Sequence, residues 1–196
     1  MSWILRVSVA VAIALSSGLS IAESHERAFI EHIGFDTPTL APMAYTQFCL
    51  RYPVECRTRK IFRGGPIRLS AEKRVELARV NATVNERIAP EPNLRGLAGE
   101  AWLIGPDRGD CNDYAVTKRH ELLARGWPAR ALLLSEVVTN WGEHHLVLVV
   151  RSGEGDLVLD NLTGRIRPWL KAPYRWVRMQ MPGVAKLWTT VSSRAA

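Results

Sequence analysis

The first half of the chain carries apolar residues at helical spacing. A stripe of four, Leu77, Val80, Val84 and Ile88, follows Ser70 and ends before Pro90. Spacings of three and four residues bury one face of a helix, Ser favours a helix start, and Pro ends a helix. The pattern therefore predicts a helix over this range. Two more helices are predicted, over residues 40–52 and from about residue 110 to residue 125.

The second half changes to extended apolar runs that are rich in Leu and Val. Polar turns separate four such runs, which are Ala129–Val138, His145–Val150, Leu157–Leu162 and Tyr174–Met181. Residues 90–109 are rich in Gly and Pro and predict an ordered loop around Trp102. Helices followed by short strands indicate an α+β fold with a mostly antiparallel sheet. No linker divides the chain, so a single domain is expected.

The N-terminal segment has the pattern of an export signal. Residues 1–6 are basic, residues 7–15 are apolar, and Ser20-Ile21-Ala22 offers the small residues that signal peptidase needs. The apolar run is short for a membrane core of about 30 Å. We therefore expect a signal peptide over residues 1–22 and a mature domain over residues 23–196, located in the periplasm or secreted. A retained membrane anchor is the alternative.

The chain is basic overall, with a formal net charge of +7. Its Lys and Arg residues are spread along the sequence, and no nucleic-acid-binding motif accompanies them. Nucleic acid is therefore not an expected partner.

Three cysteines divide into a close pair and a single residue. Cys49 and Cys56 lie on either side of Pro53, and Cys111 stands alone. In an oxidising compartment the pair is expected to form a disulfide, which leaves Cys111 as a free thiol. A free thiol in such a compartment is a liability unless it has a function. Cys111 is therefore the first candidate for a catalytic residue.

Cys111 lies at the predicted start of a helix, after Gly109 and Asp110. Unpaired backbone N–H groups at a helix start, together with the positive end of the helix dipole, stabilise a thiolate. Positions 111, 115 and 122 share one helix face, so Ala115 and Leu122 should bury the side that presents the thiol. The sequence therefore predicts a nucleophile that faces the sheet.

The base for this nucleophile is sought among five histidines. His120 lies on the opposite side of the same helix, and His25 and His32 stand in a polar N-terminal stretch. His144 and His145 begin a strand, where neighbouring side chains point to opposite faces, so at most one of them can reach the thiol. Periodicity alone does not decide between them.

An acid at the end of an apolar run is a candidate for the third group. Asp160 follows Leu159, and a hairpin turn centred between Ser152 and Gly153 would set His145 directly opposite Asp160. That register favours His145 as the base, whereas a register one residue different breaks the pairing. The alternative interpretation of Asp160 is a turn residue at a strand end.

Together these residues resemble the bacterial transglutaminase-like cysteine proteases, a branch of the papain-like/transglutaminase superfamily. The resemblance covers residues 40–190 and implies a papain-like/transglutaminase-like fold with the nucleophile at a helix N-terminus. It also implies a catalytic triad of Cys111, His145 and Asp160, which decides against His144. Its most specific motifs are Gly109-Asp110-Cys111, Asp113-Tyr114, Lys118-Arg119, Gly126-Trp127-Pro128, His145, Leu159-Asp160-Asn161 and Pro168-Trp169.

The best understood members of that family, the LapG-type periplasmic proteases, imply further properties. They cut a large surface adhesin and so release biofilm cells, they are held by a membrane-bound receptor, and they use calcium beside the nucleophile. By this resemblance Asp110, Asn112 and Asp113 are candidate calcium ligands. Asn112 stands where the family usually has Glu, and calcium prefers carboxylates among its ligands. The alternative for the two acids is favourable charge at a helix N-terminus.

The expected function is hydrolysis of a protein substrate by an exported cysteine peptidase, with no cofactor required for the chemistry. Two alternatives stay open. One is acyl transfer to an amine, as in a transglutaminase, and the other is a non-catalytic protein-binding module on the same fold.

Overall fold

The elements below belong to a computed structural model that describes residues 32–57, 65–94 and 96–192. The predicted signal peptide and His25 lie outside these residues. The helices are α1 (Met43–Arg51), α2 (Ala71–Arg87), α3 (Gly96–Gly99) and α4 (Cys111–Ala124). The strands are β1 (Phe35–Thr39), β2 (Ala89–Pro90), β3 (Arg108–Gly109), β4 (Leu132–Val138), β5 (His144–Ser152), β6 (Gly155–Leu159), β7 (Arg167–Pro168), β8 (Arg175–Met181) and β9 (Val184–Val191).

The main sheet has seven strands in the order β1-β9-β8-β4-β5-β6-β7, and each neighbouring pair is antiparallel. The α+β class and the mostly antiparallel sheet are therefore confirmed. The expectation that all helices precede the sheet is wrong, because β1 comes before α1 and pairs with β9. β1 is short, polar and contains Pro38, as edge strands do, so it lacks the alternation that marks a strand.

Two apolar clusters pack on the two faces of this sheet. On β5, Leu146 and Leu148 belong to the cluster beneath the helices, whereas Val147 and Val149 belong to the other. This is the two-residue period of a strand. Because β5 is buried on both faces, its sequence is an unbroken apolar run.

Helices α2 and α4 cover the first of these faces. The predicted α2 stripe is confirmed, since Leu77, Val80, Val84 and Ile88 are each no more than 1% exposed. Ser70 caps α2 by accepting a hydrogen bond from the backbone N–H of Lys73. Burial of the stripe, rather than helix propensity alone, holds α2 against α4.

The predicted loop over residues 90–109 is partly regular. Ala89 pairs with Arg108 and Pro90 pairs with Gly109, which makes a small parallel sheet of β2 and β3. Each strand has two residues, too few to produce a periodic pattern. The pairing fixes the backbone that leads directly into α4.

The predicted disulfide joins Cys49 and Cys56, whose Cα atoms are 5.5 Å apart, and it ties the end of α1 to the turn that follows. Cys111 is the free cysteine of the described residues. Over those same ranges, no helix is both long enough and apolar enough to span a bilayer.

Candidate active site

Helix α4 begins at Cys111 because the residues around it form a capping box. The Asp110 carboxylate accepts the backbone N–H of Asn112 at 2.9 Å, and the Asp113 carboxylate accepts the backbone N–H of Asp110 at 3.1 Å. A Cβ on Gly109 would lie 2.3 Å from an Asp113 oxygen, so glycine is required before the cap. These contacts set where the helix starts and so place the thiol in its first turn.

The thiol of Cys111 lies against the open start of β5. Pairing of β5 with β6 begins at Leu148, so the residues before it lack a β6 partner. The backbone N–H of Leu146 in that stretch donates to the Cys111 sulfur. Ala115 and Leu122 are 2% and 0% exposed, so the α4 face that carries Cys111 is buried as predicted.

His145 and Asp160 are hydrogen-bonded to each other, with 2.8 Å between Nε2 and Oδ1. Their side chains are only 5% and 3% exposed. Asp160 comes directly after β6, and His145 is the second residue of β5. The structure therefore brings together the two residues that the sequence paired.

The hairpin register that was predicted for this pair is wrong. Ser152 pairs with Gly155, so the turn is centred one residue later than expected and the register differs by two. Gly155 has a φ of 107°, which favours glycine, and the Ser152 hydroxyl bonds to Gly155 and Glu154, which fixes the turn there. A shift of two residues keeps every side chain on its own face. The histidine and the acid therefore still meet.

Asp160 is held as an acceptor by three donors. Besides His145, these are the backbone N–H of Leu162 at 3.0 Å and the hydroxyl of Tyr174. Burial raises the pKa of Asp160, but the bonds and charge of His145 and the two other donors lower it, so that it lies below its ordinary value. Asp160 is therefore an ionised carboxylate at neutral pH.

The three other histidines that the structure describes have partners of their own. The side chain of His144 is 70% exposed and bonds to Glu136 at 2.6 Å. His32 bonds to a backbone carbonyl of β5, and His120 bonds to Glu55. Because Nε2 of His145 is engaged by Asp160, Nδ1 is the ring nitrogen that can address the thiol.

A cavity of about 870 Å³ connects these groups to solvent. Cys111 and His145 both line it, whereas Asp160 lies behind His145. The acidic side chains of the lining outnumber the cationic ones, although the whole chain is basic. The acids are Glu91, Glu100, Asp110, Glu136 and Glu143, and the cation is Arg178.

The thiol of Cys111 is neutral in this environment. Burial raises its pKa to about 12, the carboxylates of Asp110, Glu100 and Asp113 raise it as well, and only the N–H of Leu146 lowers it. Burial and the neighbouring acids thus oppose the thiolate that the helix start was expected to stabilise. A nearby base must therefore remove the proton during attack.

Replacing Asp110 by Asn should speed alkylation of Cys111 by iodoacetamide at pH 8, by up to about tenfold. Asn still caps a helix, but it removes one of the charges that oppose the thiolate. Mass spectrometry of the alkylated protein gives the rate. Glu86→Gln, at an exposed α2 position outside the cavity, is the control. An unchanged or slower rate in Asp110→Asn would contradict this account of the thiol.

The three residues suggested as calcium ligands are close together but differ in role. Both oxygens of Asp113 accept backbone N–H groups, from Leu103 at 2.6 Å and from Asp110. The Asn112 amide donates to Glu100 at 2.6 Å. Asp113 therefore helps to shape the helix start, as the helix-terminus alternative expected, while each of its oxygens keeps a further lone pair.

Glu100 is the acid that sequence reasoning missed at this position. It accepts from Asn112 and from the indole of Trp102 at 2.8 Å. Burial, together with the charges of Asp110 and Glu100, raises the pKa of Asp113 to about 6. Across residues 32–57, 65–94 and 96–192, no three His, Cys, Asp or Glu side chains are arranged as a metal site. The carboxylate oxygens beside Cys111 are of the type and charge that calcium binds, but they already accept hydrogen bonds from protein donors.

Two other site residues could not be found from the sequence. Tyr174, which donates to Asp160, begins an apolar run and was read as the first residue of a strand. Asn85, which lies beside the α2 stripe, donates to the Asp160 carbonyl at 2.9 Å. Both contacts are tertiary, so no local pattern indicates them.

The fold of this chain resembles that of solved LapG structures. Matches among solved structures include LapG of Legionella pneumophila in an EGTA-treated form (TM-score 0.50, 23% identity, 63% of this chain and 69% of that chain) and in a calcium-bound form (TM-score 0.50, 22% identity, 62% and 72%). Against another LapG structure (TM-score 0.47, 24% identity), 54% of this chain is covered, and the match spans 62% of the LapG chain, less than two thirds of it. No curated protein matches the chain.

At this level of identity the LapG structures establish the transglutaminase-like fold. The family is established separately, by a model for the bacterial transglutaminase-like cysteine proteinases that matches residues 35–196. The chain therefore belongs to the bacterial transglutaminase-like cysteine proteinase family, and its enzyme class is that of a cysteine peptidase.

Proposed function

We propose that the protein hydrolyses a protein substrate through a triad of Cys111, His145 and Asp160. The observation that carries this proposal is the His145–Asp160 hydrogen bond of 2.8 Å, behind a cavity that Cys111 and His145 both line. Membership in a cysteine proteinase family supports peptide hydrolysis as the reaction. The role of each group follows from its surroundings.

The first step is acylation of the thiol. Nδ1 of His145 takes the thiol proton as the Cys111 sulfur attacks a peptide carbonyl carbon, and the resulting oxyanion accepts N–H groups at the start of α4. The imidazolium then gives its proton to the leaving amine, which yields a thioester. Asp160 accepts the Nε2–H of His145 throughout, which keeps Nδ1 available as the base.

The second step is hydrolysis of the thioester. His145 takes a proton from water, the hydroxide attacks the acyl carbon, and the thiol of Cys111 leaves with the proton. If the acyl donor is instead a glutamine side-chain amide, ammonia leaves in the first step, and an amine that enters in place of water forms an isopeptide bond without cutting the backbone. Water and amine use the same residues, so the product distinguishes them.

We also propose that the substrate is a surface adhesin of the same organism and that the protein acts in the periplasm, held by a membrane-bound receptor. Support for export comes from the signal pattern of residues 1–22 and from the Cys49–Cys56 disulfide, which is typical of oxidising compartments. The adhesin and the receptor follow from the family resemblance.

The proposed activity is tested by incubating the purified protein with exported adhesin-like proteins of the source organism. The expected result is one discrete cut, absent with Cys111→Ala. An isopeptide-linked product without cleavage would replace hydrolysis by transglutamination. Binding without any covalent product would indicate a non-catalytic module.

Calcium is proposed to bind beside Cys111 through oxygens of Asp110, Asn112, Asp113 and Glu100. One of the similar LapG structures is calcium-bound. Its chemical contribution here would be to offset the carboxylates that raise the pKa of Cys111. The Asn112 amide, which now donates to Glu100, makes this set weaker than one with a carboxylate at position 112.

Replacing Asn112 by Glu should therefore tighten calcium binding by about tenfold or more, since calcium affinity rises with the number of carboxylate ligands. Isothermal titration calorimetry of the chain and of Asn112→Glu measures this, with magnesium as the control ion. Equal affinity of both proteins for calcium would show that position 112 does not contribute a ligand.

A further inference from the structure

The hairpin that joins β4 to β5 carries an exposed tryptophan next to the cavity. Trp141 is 62% exposed, whereas the other tryptophans of residues 32–57, 65–94 and 96–192 are buried or half-buried. An exposed Trp leaves a large apolar surface in water, and Trp is enriched among the residues that dominate binding energy at protein interfaces. The hairpin leads directly into His144 and His145 of β5. Trp141 is therefore a candidate for contact with a ligand of the cavity.

The tip of this hairpin, residues 139–143, is held in one conformation by its own hydrogen bonds. The backbone N–H of Thr139 donates to the Glu143 carbonyl at 2.9 Å, and the N–H of Gly142 donates to the Thr139 carbonyl at 3.0 Å. The N–H of Glu143 donates to the Thr139 hydroxyl at 3.1 Å. Gly142 has a φ of 91°, a conformation that favours glycine. The backbone thus sets the position of Trp141 before a ligand binds, which lowers the entropic cost of binding.

The indole ring of Trp141 is oriented by a carboxylate. Its Nε1–H donates to Oε2 of Glu143 at 2.8 Å, and Glu143 is itself exposed and lines the cavity. This bond uses the edge of the ring and leaves its faces for stacking. A cation is attracted both to the face of an indole and to a carboxylate at its edge. The pair of Trp141 and Glu143 therefore has the chemistry that binds a Lys or Arg side chain.

The charge of the cavity favours the same ligand. Among the lining residues that the structure describes, five are acids and one is an arginine, in a chain whose net charge is +7. That arginine, Arg178, is bonded to Glu136. Glu143 is not among the residues proposed for calcium, so bound calcium would leave its carboxylate free. A polypeptide segment with a basic side chain is therefore complementary in charge to the hairpin end of the cavity.

We propose that the β4–β5 hairpin selects the substrate by binding a Lys or Arg side chain that lies close to the bond to be cut. The cation lies on the indole face of Trp141 and beside the Glu143 carboxylate, while the scissile peptide bond lies at Cys111. This inference rests on the proposed function, because it assigns the substrate class of the same cavity. Trp141 and Glu143 do not touch the reacting atoms, so they contribute to substrate binding rather than to the chemical step.

The binding test uses the mature chain with Cys111→Ala and two capped heptapeptides of glycine and alanine, one with a central Lys and one with neutral norleucine there. Proton–nitrogen NMR follows the indole N–H signal of Trp141, which Trp141→Phe identifies by its loss. We expect the Lys peptide to shift this signal and to bind about threefold to tenfold more tightly than the norleucine peptide.

Two variants control this titration. Glu143→Gln should remove most of the difference between the peptides, because its amide oxygen can still accept the indole N–H while the charge is gone. Val75→Ala, at an exposed α2 position outside the cavity, should leave the difference unchanged. Equal affinity for both peptides in the parent protein, or a Trp141 signal that does not respond, would overturn the inference. So would a signal that shifts with protein concentration alone, since the hairpin would then bind a second copy of the chain.

Cleavage kinetics give a second measurement. Trp141→Ala should raise KM for the protein substrate by about threefold to tenfold, with kcat changed less than about twofold. An unchanged KM would contradict the role of Trp141. If the wild type cleaves no protein, the proposed function fails, and the peptide titration still decides whether the hairpin binds a basic side chain.

Discussion

Replacing His145 by Ala should lower kcat/KM by about 10⁴-fold or more, while the same change at His144 should alter it by less than about twofold. His145 is buried and bonded to Asp160, and His144 is 70% exposed and bonded to Glu136. The two residues are neighbours on β5, so the pair is a matched test of which face carries the base. Initial rates of substrate cleavage give the comparison.

Circular dichroism of both variants provides the folding control for this experiment. His145→Ala leaves the Asp160 carboxylate without one of its three donors, so a modest loss of stability is expected. If His144→Ala lost most of its activity while His145→Ala stayed active and folded, the assignment of His145 as the base would be wrong.

The second large effect is expected at Asp160. Asp160→Asn keeps the size of the side chain but can offer an amide N–H to His145 Nε2, which would place the ring proton on Nδ1 and remove the base. We expect kcat to fall by about 10³-fold to 10⁴-fold. Tyr174→Phe, which removes only one donor to the carboxylate, should cost far less.

Combining Asp160→Asn with His145→Ala shows whether the two residues act as one unit. If they do, the double variant should be about as slow as His145→Ala alone, because the base is already missing. Losses that multiply would mean that Asp160 acts independently of His145, and the assigned role of Asp160 would be wrong.

Local sequence was sufficient to locate the nucleophile, but it was not sufficient to predict whether the thiol is ionised. The start of α4 follows from a capping box within four residues, which is a local pattern, so Cys111 could be placed at a helix terminus. Its raised pKa depends first on burial and then on the charge of Asp110, with Glu100 adding to it from outside α4, and the burial arises only when the helix packs on the sheet. A rule based on the helix start alone leaves out these effects.

The His145–Asp160 pair shows which part of a hairpin prediction is robust. Strand alternation fixes the face of each side chain, and an error of two residues in the turn does not change it. The position of the turn depended on Gly155 and the Ser152 hydroxyl, which the sequence reasoning weighted too little. The sheet face of each side chain was therefore predicted correctly, although the predicted pairing register was wrong.

Contacts made by distant elements could not be predicted in the same way. Tyr174 reaches Asp160 from the segment before β8, and Asn85 reaches it from α2. The sequence around each of them does not mark it as a site residue, because a polar residue beside an apolar stripe is common at the edge of a core. Only the packing of α2 and of the segment before β8 around the sheet shows that they converge.

The central claim is that the Cys111 sulfur forms a covalent bond to the substrate. Acid quenching during turnover, followed by intact mass measurement and peptide mapping, tests it most directly. The account predicts a thioester adduct on Cys111 that accumulates before product and is absent from Cys111→Ala, which should not cleave. Substrate cleavage by Cys111→Ala, or turnover by the wild type with the adduct on another residue, would contradict it.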